Sequence, residues 1–375
     1  MNSEERHRQR FLRRTEKRNI KKAERMKAID DFNSVFTLQH LWDAQKSCCK
    51  NVGWKASTQR VKNHPITTVS ILYRQLHAGK YKSKGFYEFQ ISERGKTRDI
   101  KSVHITERIV QKCLCENSLL PAFVPTLIYD NGACMKGKGI DFAMNRIKRH
   151  LHEYYRQANS NEGYALIMDF SSYFDTILHN KLKEIIDERY KDVKIKNLYM
   201  HFVNMFGNVG LGLGSQISQI SAIRYPNEMD YTIKCKMRMR QYARYNDDSY
   251  IISNSKEYLN CALRTIKDIC NVYNIKLNPK KTRIIKLSNG VKYLKHRFVL
   301  TNTGKVLCFN SGDNAKRMRR RLKAFTKLIA NGIIDKEYAK GSYCSWKARE
   351  EKSNSAYRII KMDSIYKNLI GENLQ

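Results

Sequence analysis

The sequence predicts an α+β fold in which antiparallel strands pack against helices. Three observations support this prediction: apolar residues recur at helical spacing along much of the chain, the stretch around "ERGK" alternates apolar and polar residues, and a short apolar run, "YALIMDF", ends near Asp169. With 375 residues, of which 41% are hydrophobic, the chain is long enough for two or three domains with a sizeable core.

The N-terminal part is expected to be mainly helical. The first thirty or so residues are highly charged and poor in glycine and proline, which is typical of an exposed helix or a disordered arm. Over residues 32–78 apolar side chains recur at helical spacing, and Gly79 is placed to end a helix. The alternating stretch "GFYEFQISERGKTRDIKSV" then predicts a β-hairpin whose tip carries Arg94, Lys96 and Arg98.

The central part is expected to mix helices with strands. Helical patterns in "ITERIVQKCLCENSLLPAF" and "IDFAMNRIKRHLHEYYRQ" precede the buried strand "YALIMDF". A helix beginning near residues 179–180 should turn Leu182, Ile185 and Ile186 inward. A glycine-rich turn, "GNVGLGLGSQ", leads into another helix, and "RQYARYNDDSYIIS" predicts a second hairpin. From about residue 311 onward the chain has the pattern of basic helices.

The charge balance points to a polyanionic partner. Lys and Arg number 71 against 35 Asp and Glu, a net charge of +36, and phosphates would neutralise such an excess. Nucleic acid is the first candidate, and an anionic membrane surface is the second. No run of eighteen apolar residues and no secretory leader is seen, so a cytoplasmic protein without membrane spans is expected. The ten cysteines form no paired C-x-x-C set, which favours reduced thiols over a structural zinc site.

Three carboxylates stand out in this basic chain. Asp247 and Asp248 lie side by side at the turn of the second hairpin, and alone they could be simple turn residues. Asp169 ends a separate strand that could lie beside that hairpin in one sheet. Converging carboxylates repel one another unless divalent cations lie between them, and Mg²⁺ prefers such oxygen ligands. Two ions about 4 Å apart can assist an in-line phosphoryl transfer, which is the chemistry of nucleic-acid polymerases.

With these residues in view, the chain resembles reverse transcriptases. "YALIMDFSSYFD" is similar to the family's first catalytic motif, "YNDD" to its Tyr-x-Asp-Asp box and "GLGLGSQISQISAIRYPNEMD" to the motif between them. "GKTRDIKSVHITERIVQ" resembles the fingers block, "YDNGACMKGKG" a block of bacterial members, and "NPKKTRII" and "GVKYLKHRF" the palm motifs that follow. "SYCSWKAREEKSNSAYRI" is more loosely similar to the end of the thumb.

The resemblance implies a right-hand polymerase with fingers, palm and thumb. It assigns residues 63–300 to fingers and palm, residues 301–375 to a basic helical thumb, and residues 1–62 to a basic helical extension. It assigns the two catalytic Mg²⁺ ions, for which Mn²⁺ could substitute, to Asp169, Asp247 and Asp248, with the backbone carbonyl of Phe170 as a further ligand. It does not assign a ligand role to Asp175.

The resemblance also implies a site for the incoming nucleotide. Arg98, with Lys96, matches the basic pair that grips the triphosphate, a role that suits the planar guanidinium group. Phe174 falls where the family keeps an aromatic ring under the sugar, so deoxynucleotides should be preferred; the alternative is a core phenylalanine. Lys281 matches a palm lysine near the leaving pyrophosphate, where it could neutralise charge or donate a proton, and Lys280 is the alternative residue for this role.

A further group should face the template and primer. Gly210, Gly214, Ser218 and Gln219 fall in the loop and helix start that face the templating base pair, where glycine would let the backbone approach the bases. Phe170, Gly214 and Gln219 are also assigned to the nucleotide site. Tyr245 is expected either to pack against the primer end or to lie in the core.

Four features depart from the family's pattern. Gly212 stands where proline is usual, and Lys295 replaces the usual glycine of the primer-contacting turn. Asn246 stands where alanine, methionine or valine is common, and the sequence offers no physical account of it. "SQ", in place of Ser-Pro, resembles diversity-generating retroelement enzymes and their bacterial relatives. In the diversity-generating retroelement enzymes, Leu213 and Gln219 would hold positions linked with relaxed base selection.

The implied activity is RNA-directed DNA synthesis from dNTPs on a template RNA or a structured noncoding RNA. The basic N-terminal segment and residues 316–327 are suited to holding that RNA or a template–primer duplex. No added endonuclease, maturase or RNase H region is recognised. The setting is either a diversity-generating retroelement with a small accessory protein, or antiphage defence with self-primed or protein-primed synthesis, in a bacterium or a phage; a homo-oligomer is another option. The rivals are a catalytically idle RNA-binding scaffold and an RNA-templated RNA polymerase.

Overall fold

The computed structural model describes residues 2–93 and 95–371, with the side chains of Lys22, Glu93 and Lys96 outside that description. Its N-terminal part is helical, as predicted, with five helices: α1 (Ser3–Ile29), α2 (Phe32–Val35), α3 (Leu38–Cys48), α4 (Ala56–Asn63) and α5 (Pro65–His77). Gly79, with φ of +66°, follows the end of α5 and stops the helix where the sequence predicts.

The first predicted hairpin is present. Strand β1 (Phe86–Glu93) pairs antiparallel with β2 (Lys96–Val103), and Ile91 lies opposite Arg98. The predicted tip residue Arg94 lies outside the described residues. The chain then enters α6 (Ile105–Leu114), which continues through a π-helical turn (Cys115–Leu119) into α7 (Leu120–Phe123).

A four-stranded antiparallel sheet forms the centre of the molecule. Its strand order is β4 (Tyr242–Tyr245), β5 (Asp248–Ser253), β3 (Tyr164–Asp169) and β6 (Arg283–Lys286). Successive residues of β3 pack on opposite faces, because Leu166 lies in one buried core cluster and Ala165 in another. The sheet is therefore covered on both faces, which explains why the sequence of β3 is a nearly continuous apolar run.

Seven helices accompany this sheet. The predicted helix is present as α10, which buries Leu182, Ile185 and Ile186. The full set is α8 (Ile140–Ala158), α9 (Tyr173–Thr176), α10 (His179–Arg189), α11 (Val193–Asn204), α12 (Gln216–Arg224), α13 (Asn227–Tyr231) and α14 (Lys256–Val272).

The C-terminal part contains a small sheet followed by three helices. Strands β7 (Val291–Tyr293), β8 (His296–Leu300) and β9 (Val306–Asn310) pair antiparallel in sequence order. The predicted basic helices are α15 (Gly312–Ala330), α16 (Lys336–Glu350) and α17 (Ala356–Ile370). They share a core of their own, in which the rings of Tyr343 and Tyr366 stack at 4.6 Å. Within the described part of the chain, no helix combines the length and the apolar character needed to cross a bilayer.

Candidate active site

The central sheet brings three aspartates to one edge. Strands β3 and β5 are in antiparallel register with Asp169 directly opposite Asp248. Asp247 lies in the two-residue turn between β4 and β5, and its carbonyl oxygen accepts a hydrogen bond from the Phe170 N–H at 3.2 Å. Strand pairing alone therefore joins the end of β3 to the turn that carries the other two aspartates.

A buried arginine supports this turn from below. Arg244 donates from Nη1 to the carbonyl oxygen of Asn246 at 3.1 Å and from Nη2 to that of Ile223 at 2.8 Å. Its guanidinium also forms an ion pair with Asp230, Nη2 to Oδ2 at 2.6 Å, and both side chains are fully buried. Asn246 has φ of +54°, and asparagine is one of the few non-glycine residues that adopts this conformation readily. The turn geometry thus gives the physical account of Asn246 that the sequence lacked.

The aspartate pair carries charge that the fold disfavours. Burial, followed by the charges of Asp247 and Asp169, raises the pKa of Asp248 to about 7. Burial, followed by the charge of Asp169, also raises the pKa of Asp247, while Lys281 and Arg98 act in the opposite direction. The ionised forms of Asp247 and Asp248 are therefore stabilised when a further positive charge lies beside them.

The donor set fits a divalent cation. Closely spaced carboxylates are the ligands that Mg²⁺ and Mn²⁺ prefer, and a cation would offset both the burial and the mutual repulsion that raise the pKa values of Asp247 and Asp248. No group of three or more His, Cys, Asp or Glu side chains among the described residues is arranged to hold a metal as it stands. Asp169 is engaged by two side chains, Lys281 Nζ at 2.6 Å from Oδ2 and Asn278 Nδ2 at 3.1 Å from Oδ1. A cation bound through Oδ2 would require the Lys281 ammonium to move.

The basic residues of the candidate nucleotide site differ in what the structure shows of them. Arg98 is exposed on β2, and its positive charge partly opposes the rise in the pKa of Asp247 that burial causes. The side chain of Lys96, its predicted companion, lies outside the described residues. Lys280 and Lys281 are both exposed, but Lys281 bonds to Asp169 through its side chain, whereas the bond described for Lys280 runs from its backbone N–H to Asn278 Oδ1. The geometry favours Lys281 for the role near the reacting groups.

The two glycines expected to approach a base pair instead approach this chain's own backbone. Gly210 has φ of +86°, and a Cβ there would lie 3.0 Å from the carbonyl oxygen of Asp175. Gly214 has φ of +107°, and a Cβ there would lie 3.2 Å from the carbonyl oxygen of Lys101. Close protein packing and positive φ already require glycine at both positions.

Helix α12 corrects one predicted contact. Ser218 was expected to face the templating base pair, but its side chain is only 1% exposed, which is too little to reach a template. It lies in the first turn of α12, which packs against α6 and α11, and its N–H donates to Ser215 Oγ at 3.3 Å. Gln219, one residue later, is exposed and remains able to contact a ligand.

Two aromatic residues lie near the aspartates in the sequence, and Tyr245 is paired with Asp248 across β4 and β5. Phe174 is half-buried, packs edge-to-face on Tyr173 with centroids 6.0 Å apart, and keeps part of its ring accessible. Tyr245 is also half-buried, and its Cδ2 lies 3.3 Å from where a Cβ on Gly132 would be. Tyr245 packs against two buried clusters, and because its side chain is only half-buried the expected primer contact stays a prediction.

Packing also explains the departure at Gly212. A Cβ at this position would lie 1.9 Å from Cε1 of Phe206, so neither alanine nor proline fits without displacing that ring. The Phe206 ring is held in place by stacking on Phe86 at 4.8 Å. A phenylalanine therefore fills the space that a proline would take at position 212.

Sequence reasoning missed three residues of this site. Arg244 and Asp230 form its buried support, and Asn278 bonds to Asp169 through both its side chain and its backbone. Arg244 and Asn278 stand inside quoted motifs, "RYNDD" and "NPKK". A charged residue in an otherwise apolar strand, as Arg244 is in β4, is a signal that could have identified the first of them.

Comparison with known proteins gives one family match and weak structural likenesses. The family model described as "Reverse transcriptase (RNA-dependent DNA polymerase)" matches residues 81–298. Apo telomerase from Candida tropicalis, truncated from its C-terminal domain, is similar at 14% identity and a TM-score of 0.43, with 59% of this chain and 54% of that chain covered.

Telomerase from Candida albicans in complex with a TWJ fragment of telomeric RNA is similar at 10% identity and a TM-score of 0.46, with 78% of this chain and 56% of that chain covered. The chain thus spans little more than half of either telomerase structure. No curated protein sequence matches the chain.

Proposed function

The chain belongs to the reverse transcriptase family, and from this premise we propose that it copies an RNA template into DNA by adding deoxynucleotides to a primer. The observation that carries the proposal is the meeting of Asp169, Asp247 and Asp248 at one sheet edge. All three lie inside the segment that matches the family. The raised pKa values of Asp247 and Asp248 support a site that is completed by cations.

The residues have distinct proposed roles. Asp169, Asp247 and Asp248, with the Phe170 carbonyl, would hold two Mg²⁺ ions, which supply positive charge to the attacking and leaving oxygens when bound. Arg98 would bind the triphosphate. Its exposed position on β2 and its electrostatic effect on Asp247 support this role.

Lys281 is proposed to contact the leaving pyrophosphate as a cation. The hydrogen bond to Asp169 raises the pKa of Lys281, so the ammonium keeps its proton at neutral pH. This favours charge neutralisation over proton donation. The required displacement of Lys281 from Asp169 would free the ammonium for the leaving group.

A paired substitution tests the activity. Asp247→Asn with Asp248→Asn should abolish primer extension on an RNA template while RNA binding persists, because the amide removes the charge at nearly constant shape. Asp268→Asn, at an exposed position on α14, is the matched control and should extend primers like the parent. Synthesis that persists in the double variant would overturn the proposal, and so would a parent protein that binds RNA without extending any primer.

A comparison of dNTP and NTP incorporation tests the alternative that the protein is an RNA-templated RNA polymerase. The accessible part of the Phe174 ring is proposed to exclude a 2′-hydroxyl, so the parent should incorporate dNTPs well and NTPs poorly. Phe174→Ala should increase NTP incorporation and so lower the ratio of dNTP to NTP incorporation. A parent that prefers NTPs would identify an RNA-templated RNA polymerase instead.

The biological setting is proposed to be a diversity-generating retroelement, with antiphage defence as the alternative. Sequencing the RNA that copurifies with the protein separates them, because a variable-repeat template differs from a structured noncoding RNA. We also propose residues 63–300 as fingers and palm and the following segment, with helices α15 to α17, as the thumb. Exposed basic residues on α15 support a nucleic-acid contact there: Lys316, Arg319, Arg320, Lys323 and Lys327.

A further inference from the structure

Most of helix α1 has no packing partner among the described residues. Residues 3–25 are exposed apart from half-buried Thr15, with the Lys22 side chain outside the description, and burial begins only at Met26 and Ile29. At 1.5 Å per residue the free part is about 33 Å long. A capping box between Asn2 and Glu5 closes its N-terminal end.

Most basic residues of this free part lie on one side of the helix. At 100° per residue, eight of its ten Lys and Arg positions fall within an arc of about 140°, over a length of about 28 Å, and Arg8 and Lys22 fall outside it. We call this set the basic stripe: Arg6, Arg10, Arg13, Arg14, Lys17, Arg18, Lys21 and Arg25. Glu24 is the one acidic residue of α1 in the same arc. The arrangement concentrates positive charge along a narrow line.

The stripe destabilises the isolated helix. Like charges four residues apart repel by a few tenths of a kcal/mol per pair, and packing does not compensate for this in the free part. The pairs of this kind are Arg6–Arg10, Arg10–Arg14, Arg14–Arg18, Arg13–Lys17, Lys17–Lys21 and Lys21–Arg25. A polyanion bound along the stripe would offset this repulsion, because each basic side chain would then lie beside a negative charge.

The apolar residues of α1 argue against a membrane surface. Phe11, Leu12 and Ile20 are all exposed on the side away from the stripe, but they are spread over about 180° of the helix circumference, with Glu5, Arg8 and Glu16 between them. An interfacial helix needs a continuous apolar face opposite its basic face, and these three residues do not form one. A nucleic acid remains as the polyanion.

The same composition favours a duplex over a single strand. Proteins that hold single strands stack bases on aromatic rings, and Phe11 is the only Phe, Tyr or Trp between Ser3 and Ile29. A duplex offers regular phosphates on a rigid scaffold and is recognised by shape and backbone charge. The row of cationic side chains along the straight helix α1 is complementary to the regularly spaced phosphates of a duplex.

We propose that the basic stripe of α1 binds the phosphate backbone of a double-stranded stem in the RNA that the protein uses. The stripe lies outside the segment that matches the polymerase family, which begins at residue 81. The inference rests on the proposed function for its choice of RNA over DNA. It adds a second contact that holds a structured RNA independently of primer extension.

The experiment compares two charge-matched variants of the full chain. The stripe variant is Arg10→Gln, Lys17→Gln and Lys21→Gln. The control variant is Arg264→Gln, Lys256→Gln and Lys267→Gln, which removes the same residue types from exposed positions of α14. Glutamine keeps good helix propensity, so both variants should retain the parent's circular dichroism spectrum.

The probes are a labelled RNA hairpin, an unstructured RNA of equal length, a DNA duplex of the same sequence, and anionic phosphatidylserine vesicles. The stripe variant should bind the hairpin at least about tenfold more weakly, with the slope of log K against log salt reduced by about 2 to 3. The control variant should change hairpin affinity less than threefold. In the parent, amides of residues 6–25 should exchange more slowly once the hairpin is bound.

Equal losses in both variants would overturn the proposal, because net charge alone would then explain the binding. So would a larger loss for single-stranded RNA, for the DNA duplex or for vesicles. Binding is measured without nucleotides and repeated with the Asp247→Asn and Asp248→Asn double variant. Binding of the hairpin by the stripe can therefore be detected even if the protein extends no primer. Loss of the stripe proposal would likewise leave the proposed polymerase activity intact.

Discussion

Arg244 Nη1 lies 3.1 Å from the carbonyl oxygen of Asn246 and donates a hydrogen bond to the turn that carries Asp247 and Asp248. The other nitrogens of Arg244 bond to Asp230 and to the Ile223 carbonyl, so each guanidinium nitrogen donates at least one hydrogen bond although the side chain is fully buried. Its position is fixed by groups outside the turn. The position of the turn therefore depends on a residue that is too deeply buried to touch a substrate.

Replacing this arginine should affect stability and rate separately. Arg244→Met should lower the free energy of unfolding by about 3 to 5 kcal/mol, because Asp230 is left buried without its partner. Urea unfolding measures this change, and adding Asp230→Asn should recover part of the loss. Recovery would fail if Asp230 had another cation nearby, which would contradict the assigned pairing.

Arg244→Lys should keep the positive charge but lose the planar guanidinium group, which donates hydrogen bonds in several directions. The lysine can pair with Asp230 but cannot also reach Ile223 and Asn246, so the turn is less well held. We expect primer extension to slow at least tenfold while RNA affinity stays within twofold of the parent. Single-turnover extension at saturating nucleotide measures this effect, and an unchanged rate would mean that the bond to Asn246 does not position the aspartates.

Local periodicity accounts for the parts of the fold that the sequence predicts. Strand β3, the hairpin of β4 and β5, and helix α10 each have a pattern within about ten residues. The Arg244–Asp230 pair spans 14 residues and the Asn278–Asp169 bond spans 109, so no local pattern contains either of them.

Several elements were missed. Helices α11 and α14 have helical spacing but lie between the recognised motifs, and neither was predicted. The sheet of β7 to β9 is built from strands of three to five residues, which are too short for a reliable alternation. Ser218 was misjudged because membership of a motif says which block a residue belongs to and not which side of a helix it faces.

Removing one aspartate charge should stabilise the protein when chelator is present. The pKa of Asp248 is raised to about 7, chiefly by burial, so at pH 8 the folded state carries a charge that it disfavours. With EDTA at pH 8, Asp248→Asn should unfold at a higher temperature than the parent. Adding Mg²⁺ should raise the midpoint of the parent more than that of the variant, and equal shifts would argue against a cation at Asp248.

The turn between β7 and β8 should be improved by glycine. Leu294 and Lys295 form this two-residue turn with φ of +48° and +66°, which resembles a type I′ hairpin turn that favours Asn-Gly. Lys295→Gly should raise the free energy of unfolding by about 1 kcal/mol by removing the strain of a side chain in this conformation. Lys292→Gly, at an exposed position inside β7, is the control and should destabilise. A Lys295→Gly protein less stable than the parent would show that the lysine makes a stabilising contact.

His150 joins α8 to the central sheet and is only 1% exposed. Its Nδ1 lies 2.9 Å from the hydroxyl of Tyr250, and its Nε2 lies 3.0 Å from Nη2 of Arg146 and 3.6 Å from Oδ2 of Asp130. Burial is the largest cause of a lowered pKa for His150; Asp130 opposes it, while Lys234 and Arg146 add to it. The neutral imidazole is therefore the form that the fold favours.

Stability should fall as the pH drops below the pKa of the unfolded histidine, about 6.5, because the unfolded chain then binds a proton that the folded chain does not. The loss for one such group is at most about 1.4 kcal/mol per pH unit. His150→Gln removes the titrating group, so its unfolding free energy should decline less than the parent's between pH 7.5 and 5.5. His104, His201 and His296, whose pKa values are also lowered, remain in both proteins, so the difference reports His150 alone. Urea unfolding at four pH values measures the two profiles, and parallel profiles would mean that His150 keeps an ordinary pKa in the folded state.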